Sequence, residues 1–170
     1  MSDMRVGLGF DIHPLATGRK LVLGGVEIPF AKGLSGWSDG DVLTHAVIDA
    51  LLGAANMGDI GRHFPPGDAA YRDISSLKLL AQVRDELQQN GWTIGNIDTN
   101  IIADKPKMSD FVERIQRKLS RTLAILPAQV SVKAKTANGL GPIGHGEGIA
   151  AQAIATIVRL PATRRKVKKE

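Results

Sequence analysis

Residues 42–52, Val-Leu-Thr-His-Ala-Val-Ile-Asp-Ala-Leu-Leu, limit the fold more than any other stretch of this chain. Ser38 with the acid Asp41 three residues on, just before this apolar run, is a helix-start signature, and the helix is expected to end near Gly58. It is rich in Ala and Leu and apolar on most sides. Such a helix has no face to give to water, so the rest of the domain must cover it.

The covering pieces follow from patterning. Residues 4–13 read as an opening strand, and Lys20 to Phe30 as a second extended region bent at Gly24-Gly25. Ser75 to Asn90 places Leu77, Leu80, Val83 and Leu87 on one stripe, with Gly91 as its stop. Residues 92–103 read as a strand closed by Pro106. A third helix from about Ser109 carries Phe111, Ile115, Leu119 and Leu123 at helical spacing. Val130–Ala134 alternates as a strand, a glycine-rich loop follows at 138–148, and Ile149–Leu160 is taken as a strand because its β-branched residues gather towards the end. The order β-β-α-α-β-α-β-β predicts an α+β domain, a sheet with helices on one face. With 170 residues, one core is expected: a domain over 1–163 and a basic tail over 164–170.

Composition removes several functions. The chain has no cysteine, which excludes disulfide scaffolds, thiol nucleophiles and Cys-based zinc sites. The last seven residues hold five basic side chains and one acidic, so residues 1–163 carry 17 basic against 16 acidic. The pI of 9.7 therefore describes mainly a tail, read as a solvated terminus. With seven aromatics that avoid the basic residues, no nucleic-acid partner is expected. No run approaches the roughly 18 apolar residues of a membrane helix. The start has no apolar signal stretch, so the expected location is the cytoplasm, with no membrane partner.

The histidines lie at 13, 45, 63 and 145. Asp11 and His13, two apart on a strand, leave the same face, and His45 lies on the first helix. A carboxylate and two imidazoles make a three-ligand zinc site with an open fourth position; Asp49, one turn beyond His45, is expected to orient its ring. The alternative is a pair of polar strand residues and a satisfied core histidine. Gly139 to Gly144 satisfies G-x-G-x-x-G, but Pro142 lies inside it and no helix start follows, so a dinucleotide site is rejected. A flexible turn, or a phosphate cradle preceded by Lys133, Lys135 and Thr136, both remain. The loop from Gly58 to Tyr71 is long enough to be a binding loop. Residues 103–108 alone read as an ordinary connection, and His63 and His145 as exposed polar residues.

Together these segments resemble the 2-C-methyl-D-erythritol 2,4-cyclodiphosphate synthase family. The resemblance is carried by Gly9-Phe10-Asp11-Ile12-His13, Leu23 to Pro29, Ser38-Asp39-Gly40-Asp41-Val42 leading to His45-Ala46, and Asp49 to Ala54. It continues through Gly58-Asp59-Ile60-Gly61, Phe64-Pro65, Asn96-Ile97-Asp98, Ile101-Ile102-Ala103, Pro106-Lys107-Met108 and Gly144 to Ile149. It runs in order from about residue 5 to 160.

The resemblance implies an α+β homotrimer with active sites between subunits. Its substrate would be a cytidine diphosphate derivative of methylerythritol 2-phosphate, cyclised with release of CMP in non-mevalonate isoprenoid synthesis. Asp11, His13 and His45 would hold Zn²⁺ or another divalent transition metal, and Mg²⁺ or Mn²⁺ would bridge phosphates. Ser38, Asp59, Ile60 and Gly61 would bind the sugar phosphate. Ala103, Asp104, Lys105, Pro106, Lys107 and Met108 would line the cytidine pocket. Thr136, on the phosphates, Lys135 and Trp37 would be the catalytic residues, and Pro142 and His145 would also lie near substrate. The chain departs from the family pattern around phosphate. Trp37 stands at a usual His, Lys135 at a Thr, Asn138 at an acid, and Pro142 and His145 at an aromatic and an Arg, the latter normally near the position of Glu147. Two other functions share these residues: a zinc phosphodiesterase giving a linear product, and a catalytically weak nucleotide- or isoprenoid-precursor-binding trimer.

Overall fold

The computed structural model describes residues 3–159; the basic tail at 164–170 lies outside them. The opening strand β1 (Met4–Ala16) is followed by the short strands β2 (Leu21–Leu23), β3 (Val26–Ile28) and β4 (Gly33–Leu34). Then come α1 (Val42–Ala55), the single turn α2 (Ile60–His63), α3 (Ser76–Gln89), β5 (Trp92–Ile102) and α4 (Val112–Leu123). The chain closes with β6 (Val130–Lys135), the turn α5 (Gly141–Gly144) and β7 (Gly148–Arg159). The main sheet has the order β4-β1-β7-β5-β6, with β5–β6 parallel and the other pairs antiparallel; β2 and β3 form a separate hairpin. The α+β expectation holds: the sheet is mixed and the three long helices pack on one face.

α1 is the centre of the core. Among its 14 residues only Asp49, Gly53 and Ala55 are not buried. It lies across β1 and β7 because two glycines on β1 let it approach. A Cβ at Gly7 would come within 1.9 Å of the Ala50 carbonyl oxygen, and one at Gly9 within 1.9 Å of that of Ala46. No side chain fits there. Alternation places Gly7, Gly9, Asp11 and His13 on this one face of β1, so the strand that touches α1 most closely carries two candidate ligands towards it.

The start of α1 differs from the expectation. Asp41, not Ser38, is the N-cap. Its carboxylate is fully buried and accepts four hydrogen bonds: from Thr44 N at 3.0 Å, Thr44 Oγ1 at 2.8 Å, Gly24 N at 2.9 Å and Gly25 N at 2.7 Å. It thereby ties the β2–β3 hairpin to the helix. Burial pushes its pKa up, with Asp39 adding to the effect against those donors.

Other boundaries shift by a few residues. α4 begins at Val112 rather than Ser109, the 138–148 loop contains a helical turn, and the 58–71 loop contains α2 and a 3₁₀ turn at 69–71. The last strand is described to Arg159. The open face of the sheet exposes Val6, Leu8, Phe10 and Ile12 on β1 and Ile154 on β7. No helix among the described residues is long and apolar enough to cross a membrane.

Candidate metal centre and a second cavity

Asp11 Oδ2, His13 Nε2 and His45 Nδ1 converge on one point. The carboxylate oxygen is 2.9 Å from each ring nitrogen, and the two nitrogens are 3.3 Å apart. The outer nitrogens decide what the inner ones offer. His13 Nδ1 meets the Ser35 carbonyl oxygen, which only accepts, so the proton sits there. His45 Nε2 is 2.9 Å from Ser76 Oγ and 3.1 Å from Ser38 Oγ. Ser76 Oγ donates to Asp39 Oδ1 at 2.5 Å, which leaves its oxygen free to accept from His45 Nε2–H. In the neutral form each ring thus turns a lone pair inward beside a carboxylate. Two lone pairs and an anion at this spacing fit a divalent cation, with the outer shell holding each tautomer.

Charge follows the same geometry. Burial would raise the Asp11 pKa, but the protonated forms of the His13 and His45 rings, which donate to it when no ion lies between them, carry it well below the usual carboxylate range. For His13 burial favours the neutral ring; the Asp11 carboxylate outweighs this and raises its pKa. Among the described residues this is the one group of three such donors close enough to share an ion.

Asp49 does not orient His45. Its Oδ1 accepts from Ile60 N at 2.8 Å, tying α2 to α1, while burial raises its pKa against that bond. The ring is held instead by Ser76 and Ser38, and Asp39 also accepts from Ser76 N at 3.0 Å. Ser76 was not singled out from the sequence. Its signal was a second Ser at the start of α3 on an otherwise apolar buried position, since Ser75, the N-cap, makes no side-chain cap bond.

The three donors line a cavity of about 270 Å³ with Trp37, Ser38, Ile60, Gly61, Phe64, Pro66, Tyr71 and Leu79. Asp59 does not line it: it caps α2, accepting from Arg62 N. The Trp37 indole N–H donates to the Asp68 carbonyl at 2.8 Å, so it is not free for a ligand. A second cavity of about 370 Å³ gathers Ala103, Asp104, Lys105, Pro106, Lys107 and Met108 with Ser109, Ala134, Lys135 and Thr136. The parallel pairing of β5 and β6, continued by Ala103 N to the Lys135 carbonyl at 3.0 Å, brings these segments together. Thr136 Oγ1 accepts from Asn138 N at 3.0 Å. Pro142 and His145 sit on and after α5, exposed, and line neither cavity.

Fold and site together define an α+β domain in which one carboxylate and two imidazoles, on a strand and a helix, form a group that could hold a metal ion. The model of the YgbB family matches residues 4–158. The 2-C-methyl-D-erythritol 2,4-cyclodiphosphate synthase of Pelotomaculum thermopropionicum is 59% identical over 154 residues, covering 91% of this chain and 95% of that protein. Among solved structures, the bifunctional IspDF of Campylobacter jejuni is 38% identical with a TM-score of 0.92, covering 96% of this chain. This chain spans 44% of the length of that bifunctional protein. The IspF of Plasmodium falciparum in complex with CDP is 34% identical, with a TM-score of 0.82 and coverage of 93% and 97%. The chain belongs to the YgbB family, that of the 2-C-methyl-D-erythritol 2,4-cyclodiphosphate synthases.

Proposed function

We propose that this chain converts 4-diphosphocytidyl-2-C-methyl-D-erythritol 2-phosphate to 2-C-methyl-D-erythritol 2,4-cyclodiphosphate with release of CMP, a lyase step of non-mevalonate isoprenoid precursor synthesis. Family membership supports the activity; the convergence of Asp11, His13 and His45 in one cavity is the observation that carries it to this site. In the reaction an oxygen of the 2-phosphate attacks the β-phosphorus, the bond from that phosphorus to the bridging oxygen breaks, and CMP leaves with the electron pair. No protein nucleophile is required. The chain's task is to hold two anionic groups in line.

Asp11, His13 and His45 would hold Zn²⁺, which when bound supplies Lewis-acid polarisation of a phosphate oxygen. Phe64, Pro66, Tyr71 and Leu79 give the metal-side cavity apolar walls that limit water. Residues 103–108 take the cytidine, with Lys135 and Thr136 towards its phosphates; this reading is supported by their common cavity and by a relative solved with CDP. Ser38 acts on substrate and on the His45 ring together. Trp37 serves as a wall, since its N–H is engaged. Pro142 and His145 would reach substrate from a neighbouring copy.

The two cavities share no lining residue, although one substrate must span cytidine and sugar phosphate. A homotrimer that places one copy's first cavity against another's second resolves this. The exposed stripe Val6, Leu8, Phe10 and Ile12 with Ile154 is apolar surface suited to such packing. The test is phosphorus NMR of the protein with substrate, zinc and magnesium. Cyclic diphosphate with stoichiometric CMP is expected; CMP with a linear product would indicate hydrolysis, and unchanged substrate a binding protein.

A further inference from the structure

The metal-side cavity lacks a resource its counterpart has. No lysine or arginine lines it, whereas Lys105, Lys107 and Lys135 line the second. A phosphate monoester carries close to two negative charges near neutral pH. A divalent ion beside the Asp11 carboxylate leaves one positive charge to meet them, so a further cation is needed at this end.

One guanidinium stacks on a residue of the cavity wall. The Arg72 guanidinium carbon lies 4.9 Å from the ring centre of Trp37, and Arg72 directly follows the lining residue Tyr71. The indole beneath it is anchored at two points. Its N–H donates to the Asp68 carbonyl at 2.8 Å, and the Trp37 carbonyl accepts from Asp73 N at 2.9 Å. The acids nearest in sequence are otherwise engaged: Asp73 pairs with Arg19 at 3.3 Å, and Asp68 Oδ1 accepts from Ala70 N at 2.9 Å. Among the described residues no carboxylate pairs with Arg72. Stacking uses the face of a guanidinium and leaves its edge of N–H donors for a bidentate oxyanion.

We infer that Arg72, carried on the Trp37 ring, is a phosphate-binding residue of the metal-side cavity, taking the phosphate monoester at the sugar end of the substrate. The inference rests on the proposed function for the identity of that phosphate. It gives Trp37 a positive role as the platform that aims the guanidinium.

Two measurements on the zinc-loaded full chain test it. In calorimetric titration with inorganic phosphate as the probe, Arg72→Met weakens binding about tenfold or more, Arg72→Lys recovers part of the loss, and Trp37→Leu, which removes the platform, weakens it as Arg72→Met does. In steady-state kinetics, Arg72→Met raises KM for the cytidylyl substrate by about tenfold while kcat moves by less than about threefold, and zinc content and CDP affinity stay at wild-type values. Phosphate affinity and KM within about twofold of wild type in Arg72→Met, or no phosphate binding by the zinc-loaded wild type, would overturn the inference. A wild type that binds phosphate through Arg72 yet turns over no substrate would refute the proposed function and leave the anion site standing.

Discussion

At the candidate metal centre both imidazoles are held from behind, His13 by the Ser35 carbonyl and His45 by Ser76 and Ser38, and Gly7 and Gly9 set the strand–helix approach. At the cavity of residues 103–109 and 134–136 the lysines are exposed: Lys135 ends the edge strand β6, and Lys105 and Lys107 lie on the segment after β5. The first region suits a ligand that punishes misplacement by tenths of an ångström. The second suits a flat, charged group that tolerates adjustable side chains, because a lysine ammonium acts as a mobile point charge. Mutations should therefore cost much more in the first region than in the second.

The largest effect is expected for His45→Ala. Elemental analysis should find the stoichiometric zinc lost, and turnover should fall by about 10³-fold or more, roughly 4 kcal/mol of transition-state stabilisation. Retained zinc would refute the ligand set. Next is Asp41→Ala, which strands buried donors on Gly24, Gly25 and Thr44 and should lower unfolding free energy by about 3 kcal/mol in urea denaturation. A loss under about 1 kcal/mol would mean the hairpin and α1 dock without it. Ser76→Ala removes a hydrogen bond behind a ligand, so zinc affinity should drop about tenfold in a chelator competition with the fold intact. The smallest change belongs to the second cavity. Lys135→Met should weaken CDP binding only by about threefold, an effect that fades as salt rises. A loss at Lys135 as large as that at Ser76 would erase the contrast between the two regions.

Much of this contrast was legible in the residues. Asp-x-His on the opening strand states two ligand types on one face, while the close approach of α1 at Gly7 and Gly9 emerged only in the fold. The apolar run around His45 states a buried helix. The braces were not legible. Ser38 and Asp41 read as one capping signal, yet Asp41 caps and Ser38 faces His45. Asp49 stood at the right helical spacing to hold the ring, but α2 brought the Ile60 amide to it first. Ser76 lies 31 residues from His45, and local periodicity carries no information across that span. The cavity of residues 103–109 was visible only through resemblance, because its residues are those of any strand exit.

By itself the sequence determined the alternation of strands and helices, the all-apolar helix that must be covered, and the ligand types on their faces. These depend on backbone geometry and the period of side chains along one element. Only the tertiary structure decided which polar group answers which. Hydrogen-bond partners are chosen by distance in space, and the packing of α1 on β1, with α3 and the 36–41 segment closing behind it, sets those distances for His13, His45 and the platform under Arg72.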